Sequence, residues 1–339
     1  MKIFLTGNNG YVGKVMAKML YEKNYEVIGC DSEIFPQEFI KSKDSCVKHI
    51  KKDIRDITKD DLKNCFAVIH LAGLSNDPLG AINPSLTNEI NFLATIRLAK
   101  LAREVGVKRF IFSSSCSNYG YSEKFLDETS SLEPITEYAK SKVKSEQELL
   151  KLTNEHFSPV MLRNATVYGI SPNQRLDLVV NNLVGSAVSK GKIQILSDGT
   201  AWRPLIHVED MSNAFIKILE AKKQKIHGQV YNVGNTEENF RVKDIADMIQ
   251  TIIPNSKIEF GNKKEKDARS YRVNFDKIKN DLEYKTKWSL EEGIKHIFKV
   301  FQEKRISQDD FNDKSFYRIK YLQWLIQTNK INSNLRFNN

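Results

Sequence analysis

Cysteine is scarce in this chain of 339 residues: Cys30, Cys46, Cys65 and Cys116 are all there is, and no two form a C-x-x-C pair. Thiols so scattered argue against a disulfide framework or a cysteine-built metal site, and fit small buried residues of a reducing compartment. No metal is expected. Also missing is any apolar run of about 18 residues, so no membrane span is expected. Met1-Lys2 leads straight into the first apolar run, which leaves no room for a signal peptide and points to a cytoplasmic protein. Internal repeats and low-complexity linkers are absent. The formal charge is +10, but the lysines are spread over the whole length, without a basic stripe interleaved with aromatics. A solvated lysine-rich surface therefore explains them better than nucleic-acid binding. Such a surface would still draw in an anionic substrate. At 40% apolar and 28% charged residues, the composition is ordinary for a globular protein with one large or two smaller domains.

What the chain does contain is concentrated at its start. Lys2-Ile3-Phe4-Leu5-Thr6 reads as a buried strand, Gly7-Asn8-Asn9-Gly10-Tyr11-Val12-Gly13 follows at once, and a helical pattern runs from Lys14 to Lys23. A second strand, Glu26 to Cys30, ends in Asp31. Strand, glycine-rich turn, helix, strand and acid make the layout of a dinucleotide-binding unit. Gly7 permits the tight turn, Gly10 lets backbone amides approach a pyrophosphate, and Gly13 lets the helix pack on the strand. Asn9, Tyr11 and Val12 complete this set of candidate cofactor contacts. The Asp31 carboxylate can accept from both adenosine ribose hydroxyls and would repel a 2′-phosphate, so NAD is favoured over NADP.

Apolar runs alternate with helical patterns through the first half. Strands are expected at Ile3–Thr6, Glu26–Cys30, Val47–Lys51, Ala67–Leu71, Arg109–Ser113 and Pro159–Arg163. Helices are expected at Lys14–Lys23, Asp60–Asn64, Thr87–Val105, Tyr138–Asn154 and Leu178–Lys190. The order predicts an α/β fold, a Rossmann-like doubly wound parallel sheet over residues 1–170, to which some later segments return. Residues 171–305 read as a smaller C-terminal α+β lobe that binds substrate. It mixes strands Ile193–Leu196, Gln229–Val233 and Lys257–Glu259 with helices Val208–Ala221, Val242–Ile253 and Leu290–Lys304. Within the tail, 306–339, the stretch Phe311 to Phe337 reads as one amphipathic helix packed on its own subunit.

Three further features follow the sheet order. Lys52-Asp53-Ile54-Arg55-Asp56 comes right after the third strand, where Asp53 suits an adenine amino group or a helix cap equally well. His70-Leu71-Ala72-Gly73 ends the fourth strand, and small residues there let a cofactor lie against the backbone. His70 itself reads as a satisfied core histidine. Lastly, Ser113-Ser114-Ser115-Cys116-Ser117 is paired with Tyr138-Ala139-Lys140-Ser141-Lys142. Tyr138 and Lys142, at i and i+4, share a helix face. A nearby ammonium favours the phenolate and lowers a tyrosine pKa from its ordinary value of about 10. Ser115 could hold the reacting oxygen beside it, and Lys142 could also bind the nicotinamide ribose.

With these motifs in hand, G7-N-N-G-Y-V-G13, D53-I-R-D56, H70-L-A-G73, S113-S-S-C-S-N-Y-G120, Y138-A-K-S-K142, D198-G-T-A-W-R203 and H207-V-E-D210 recur in an order that resembles the extended short-chain dehydrogenase/reductases. Within them the chain is similar to the NAD-dependent nucleotide-sugar epimerases and dehydratases, over roughly residues 1–300. The resemblance implies that Ser115, Tyr138 and Lys142 are the catalytic residues. It implies NAD contacts from Gly7, Gly10, Gly13, Asp31, Asp53, Ile54, Leu71, Ala72, Gly73, Asn91 and Ser113, with Tyr138 and Lys142 also touching the cofactor. A nucleotide-diphosphate sugar would be held by Ser75, Ser115, Thr166 and Arg203, with Arg203 on the diphosphate; a second basic group, Arg269, suits helping Arg203 hold the substrate or a surface salt bridge equally well. A homodimer through the two long helices, Thr87–Val105 and Tyr138–Asn154, is implied as well.

Departures narrow the reaction. The 4,6-dehydratases of this family carry Thr-Asp-Glu where this chain has Ser115-Cys116-Ser117, so elimination is not expected. Fucose-synthase-type enzymes place a cysteine where Ser117 stands, which disfavours inversion at C3 or C5. Transient oxidation at C4 remains, as in the UDP-galactose 4-epimerases. Those enzymes read Leu-Arg-Tyr-Phe-Asn where this chain has Leu162-Arg163-Asn164-Ala165-Thr166, which leaves base and sugar open. The alternatives are a nucleotide-sugar ketoreductase or dehydrogenase with net turnover of cofactor, and a non-catalytic NAD sensor.

Overall fold

A computed structural model of the chain describes residues 1–35, 38–40, 47–75, 83–261 and 269–338; Cys46 lies outside them. The strands are β1 (Lys2–Thr6), β2 (Glu26–Asp31), β3 (Lys48–Lys51), β4 (Ala67–His70), β5 (Arg109–Ser115), β6 (Tyr121–Leu126) and β7 (Ser158–Asn164). They continue with β8 (Thr166–Tyr168), β9 (Lys192–Ile195), β10 (Trp202–His207), β11 (Val230–Val233), β12 (Asn239–Arg241), β13 (Lys257–Phe260) and β14 (Ser270–Val273). Seven of them form one sheet in the order β11-β7-β5-β4-β1-β2-β3. Every pairing in it is parallel.

Near-continuous apolar runs make this sheet, because its strands are covered on both faces. Side chains alternate across it. Ile3, Leu5, Ile69, Ile111 and Val160 pack with Met16 and Leu20 of helix Tyr11–Glu22 and with Phe215 and Leu219 of helix Val208–Glu220. Phe4, Val68, Phe110, Phe112 and Met161 face the other way, onto Leu98 and Ala99 of helix Ala94–Glu104 and Leu149 of helix Glu137–Lys151. The strand order reverses between β1 and β4. Thr6 is in register with both Cys30 and His70 there, so the carboxyl ends of the central strands finish level. A crevice opens at such a reversal.

A third apolar cluster, with Leu176, Val180, Ile193, Leu205, Ile245 and Ile294, lies outside this sheet. It is framed by the small sheets β12-β10-β8 and β13-β9. β11 belongs to the large sheet although β8 to β10 precede it, so the chain leaves the nucleotide-type sheet after β7 and returns. Strands β6, β8, β10, β12 and β14 are too short or too polar to stand out as apolar runs.

Three expected elements take another form. Asp60–Asn64 is only a 3-10 turn at Asp60–Leu62, closed by Asn64 at φ +61. Thr87–Val105 is not uniform: a short helix Pro84–Thr87, a π-helical segment Asn88–Leu93 and helix Ala94–Glu104 run end to end. The single helix over Phe311–Phe337 is replaced by three pieces. Gln308–Asn312 is a short helix, Asp313 caps a 3-10 turn at Lys314–Phe316 by accepting from the Ser315 N–H, and only Arg318–Gln327 continues as helix. Polar capping residues interrupt a pattern that apolar spacing alone reads as continuous. The tail packs on its own subunit. Leu322, Leu325, Ile331 and Leu335 join the core cluster on the Phe4 side of the large sheet. Among the described residues, no helix is long and apolar enough to cross a membrane.

A candidate cofactor and substrate cleft

A cleft of about 690 Å³ opens at the reversal of strand order and is lined by the glycine-rich turn, the β5 serines, Tyr138 and parts of the second lobe and tail. Its floor is set by the turn. Gly7 sits at φ +74 and its N–H donates to the Cys30 carbonyl at 2.7 Å, which ties the turn to the end of β2. Gly10 caps helix Tyr11–Glu22 in an extended conformation. A Cβ on Gly13 would come to 1.9 Å from the Gly7 carbonyl oxygen, so only glycine lets the helix start this close to β1. The first-turn amides thus face the cleft at the positive end of a helix, an arrangement that suits an anion.

Asp31 lines the cleft beside this turn. Its carboxylate accepts from the Asn9 N–H at 3.2 Å and the Glu33 N–H at 2.8 Å. Burial pushes its pKa up, and the two amides oppose that shift. Each carboxylate oxygen keeps a lone pair beyond those bonds, the requirement for accepting from a ribose diol. Asp53 is a cap and also a cleft residue. It caps the turn Ile54–Asp56 through the Arg55 N–H at 2.8 Å and also lines the cleft with Ile54. The Arg55 guanidinium binds it twice, at 3.0 and 2.8 Å. Although burial opposes it, this pairing leaves the Asp53 pKa below the ordinary carboxylate value.

Tyr11, Val12, Leu71, Ala72, Gly73, Ser75 and Ser113 also line the cleft, while Asn9 and Asn91 stand behind its wall. Asn9 acts on the cleft through its backbone, by the bond to Asp31. Asn91 is buried, and its amide exchanges bonds with the Leu74 backbone: it accepts from Leu74 N–H at 2.8 Å and donates to Leu74 O at 3.0 Å. Its place is to hold the strand-end turn at Gly73 in shape. His70 is a core residue with both ring nitrogens bonded, Nδ1 to Thr6 Oγ1 at 2.7 Å and Nε2 to Thr95 Oγ1 at 2.8 Å. Thr95 donates its own proton to Asn91 O, so it accepts from Nε2–H, and Thr6 donates to Nδ1. Burial drives the His70 pKa down to about 3, which keeps the ring neutral.

The serine cluster ends β5, and helix Glu137–Lys151 lays Tyr138 and Lys142 beside it, started by Thr136, which accepts from the Ala139 N–H. Lys142 Nζ donates to the Ser113 carbonyl at 2.7 Å and lies over the Phe112 ring at 4.6 Å and the Tyr138 ring at 5.6 Å. Burial lowers its pKa to about 8, so it is still a cation at neutral pH. Ser115 accepts from the Ser117 N–H at 3.1 Å and the Ser117 hydroxyl at 2.9 Å, which leaves its own proton to donate toward the cleft. Ser115, Ser117, Tyr138 and Lys142 all line it. Cys116 points away: it is buried, and its thiol donates to the Arg163 carbonyl at 3.2 Å.

Beneath these residues lies a buried network that motif reading passed over. Glu146 pairs with Arg163 through contacts of 3.1, 3.1 and 2.7 Å, and it also accepts from Ser114 and from Asn118 Nδ2 at 2.9 Å. Arg163 Nη1 donates to Tyr119 Oη at 3.0 Å. The available signal was periodic: Glu146 is one turn beyond Lys142 on the face that carries Tyr138.

Across the cleft, Ser75, Thr166, Arg203 and Arg269 come together from four separate segments, and Arg203 Nη1 donates to the Arg269 carbonyl. Two more arginines were not singled out in the sequence. Arg175 is held by Asp177 at 2.8 and 3.0 Å and reaches Ser75 Oγ at 3.1 Å. Arg318 enters from the tail, with Ile319 and Leu335. The cleft-lining carboxylates among the described residues are Asp31, Asp53 and Asp177. None is in the serine–tyrosine corner, so that corner can exchange a proton through a phenol but offers no acid pair. No group of three potential metal ligands gathers anywhere among the described residues.

The donor set fits a dinucleotide. A helix-start cradle that a Cβ would fill lies next to a buried acid with unused lone pairs, and a cation sits under a tyrosine farther along the same cleft. The chain is similar to known proteins along most of its length. A family model described as the NAD dependent epimerase/dehydratase family matches residues 3–234. A Bacillus subtilis (strain 168) protein described as an uncharacterized UDP-glucose epimerase, YtcB, is 27% identical over 312 residues, covering 87% of this chain and 96% of its own. A dTDP-D-glucose 4,6-dehydratase of Homo sapiens is 26% identical over 326 residues, covering 89% of this chain and 90% of its own. Among solved structures, MoeE5 in complex with UDP-glucuronic acid and NAD superposes with a TM-score of 0.80 at 24% identity, covering 90% of this chain and 100% of that one. That likeness shows the fold.

Proposed function

The chain belongs to the NAD-dependent epimerase/dehydratase family, and from that premise we propose that it inverts C4 of a nucleotide-diphosphate sugar. The observation that carries this reading is the composition of the reacting corner. Tyr138, Lys142 and the Ser115 and Ser117 hydroxyls line it, and among the described residues no carboxylate does. A family member that eliminates water needs an acid there, and the position between the two serines is a buried thiol turned to the Arg163 carbonyl. Burial raises that thiol well above its ordinary pKa, so it stays protonated.

NAD, when bound, supplies a reversible two-electron acceptor at the sugar carbon. The chain's own residues do the rest. Ser115 donates to the C4 oxygen and fixes it beside Tyr138. The Tyr138 phenolate removes the C4 hydroxyl proton and later returns it, a role for which a positioned acid/base contributes about 10²- to 10⁴-fold. Lys142, charged at neutral pH, supports the phenolate electrostatically. Arg203 and Arg269 bind the substrate diphosphate, so the oxidised sugar can turn while its nucleotide stays anchored. The apolar wall formed by buried Ile54 and half-buried Leu71 and Ala72 limits water on the cofactor side.

The test is a panel of UDP- and dTDP-hexoses deuterated at C4, followed by NMR with absorbance monitored for reduced cofactor. Inversion at C4 with the label retained, and no net reduced cofactor, is the expected result. Washout of the label or stoichiometric reduced cofactor would instead establish the ketoreductase or dehydrogenase reading, and a 4-keto-6-deoxy product would establish elimination.

We further propose a homodimer through helices Ala94–Glu104 and Glu137–Lys151 and the π-helical segment Asn88–Leu93. Leu93 is 52% exposed and Leu150 40% exposed on these helices, apolar surface that a second copy would cover. Light scattering at micromolar concentration should read twice the 39.0 kDa chain mass. A monomer mass would rule the dimer out.

A further inference from the structure

We propose that the C-terminal tail supplies a cofactor-binding residue: Arg318, the first residue of helix Arg318–Gln327, binds the diphosphate of the dinucleotide. The inference rests on the reading of the cleft as the NAD site.

Its starting point is a charge that the fold alone does not balance. Arg318 is 4% exposed, yet among the described residues no carboxylate comes within ion-pair range of its guanidinium. The nearest candidate, Asp177, gives both oxygens to Arg175 and offers Arg318 only a long contact to its backbone N–H, at 3.4 Å. The guanidinium's one hydrogen bond is Nη2 to the neutral Asn173 Oδ1 at 2.8 Å. A guanidinium has five donors, and burying it with most of them unmatched is costly unless an anion completes the site. Burial and the neighbouring Arg175 pull its pKa down to about 9, the same imbalance seen from the proton's side.

The place of Arg318 says which anion. Asn173, which accepts from Arg318, donates to the Asn9 carbonyl at 2.6 Å inside the glycine-rich turn and to the Phe35 carbonyl at 2.9 Å just past Asp31. The Arg318 guanidinium also stacks over the Phe35 ring at 4.5 Å. It therefore stands between the turn whose amides start helix Tyr11–Glu22 and the segment that follows Asp31, and it lines the cleft there. A dinucleotide runs its diphosphate past the helix start and its adenosine ribose to the acid. The fork of an arginine matches phosphate oxygens.

The tail is fastened at two places beyond this residue. Leu322 and Leu325 are buried in the core beneath it. Farther on, Arg55 Nη2 donates to the Asn334 carbonyl at 2.8 Å, and Arg336 pairs with Asp56 and, at 3.4 Å, with Asp53. Ile319 and Leu335 then close the cleft wall near Ile54, an apolar surface suited to the adenine face.

Calorimetric titration of the full-length protein with NAD, ADP, adenosine and NADP tests the assignment in the unmodified chain, Arg318→Met and Arg318→Lys. Arg318→Met is expected to weaken NAD and ADP on the order of 10- to 100-fold, as for loss of a charged hydrogen bond, and to leave adenosine unchanged. Arg318→Lys should show a smaller loss with the same preference for phosphate-bearing ligands, and it stands in if Arg318→Met does not fold. Unchanged NAD affinity in either folded variant would overturn the proposal while leaving the cleft as the NAD site. So would an equal loss of ADP and adenosine, because the tail would then be shaping the nucleoside pocket, or a loss confined to NADP, because the contact would then be at the ribose. Failure of the unmodified chain to bind NAD would overturn the reading of the cleft itself, and the assignment with it.

Discussion

Tyr138→Phe is expected to lower turnover by at least about 100-fold while barely changing NAD affinity. The substitution removes one oxygen and keeps the ring that packs within 5.6 Å of Lys142 Nζ. Among the described residues no other group near the corner is placed to take over: His70 is neutral and bonded at both nitrogens within the core, and the Cys116 thiol is turned away. Lys142 sets the pH dependence. Its ligand-free pKa of about 8 lies below the ordinary lysine value, so the cation that favours the phenolate is present at neutral pH and is lost as pH rises through 8. Since kcat/KM reports the free enzyme, its alkaline limb should fall near that value. The stability sign is opposite. The folded protein gives up this proton before the unfolded chain does, so burial of Lys142 costs less as pH rises from about 8 toward 10.5. Initial rates with the substrate found by the panel, together with NAD titrations, check the prediction. Near-normal turnover of Tyr138→Phe would show that another group moves the proton.

Glu146→Ala should destabilise the protein by about 3–5 kcal/mol, the cost of leaving a buried cation without its partner. Arg163 would keep its charge in the core with only the Tyr119 hydroxyl as a side-chain partner, and Ser114 and Asn118 would lose their acceptor at the same stroke. Because Ser114 directly precedes Ser115 on β5, turnover should drop along with stability. Replacing both members by apolar residues, Glu146→Leu with Arg163→Met, should recover much of the stability, since no charge is then stranded. Urea unfolding followed by circular dichroism reads both results. A loss below about 1 kcal/mol for Glu146→Ala, the range of an exposed pair, would mean that water reaches Arg163.

The turn at Gly7 to Gly13, the acid at Asp31 and the Tyr138–Lys142 pair were legible because each depends on residues close in sequence. A helix that starts on a glycine turn, or two side chains one helical turn apart, is a matter of local geometry. The large sheet was legible for a related reason. Strands covered on both faces must be apolar along their whole length, and Ile3-Phe4-Leu5 and Val68-Ile69 show it. Local pattern misled where polar capping intervened. Asp313 broke the expected tail helix.

The sequence by itself determined the βαβ start with the Asp31 carboxylate beside its glycine turn, the pairing of the Tyr138 phenol with the Lys142 ammonium, and the lack of an acid at positions 115–117. All of these are properties of residues within a few positions of one another. Only the tertiary structure decided which distant charges share the cleft. Arg175 and Arg318 are 143 positions apart and compete for one carboxylate, and Glu146 finds Arg163 across the face of the sheet. The tail returns to the cofactor side because Leu322, Leu325, Ile331 and Leu335 find apolar cover on the Phe4 face of the sheet. Apolar burial is non-directional, so a sequence can announce that a segment will pack without saying where. The place is settled by the shape of the surface left open once the sheet has formed, and with it the identity of the charges that meet the cofactor.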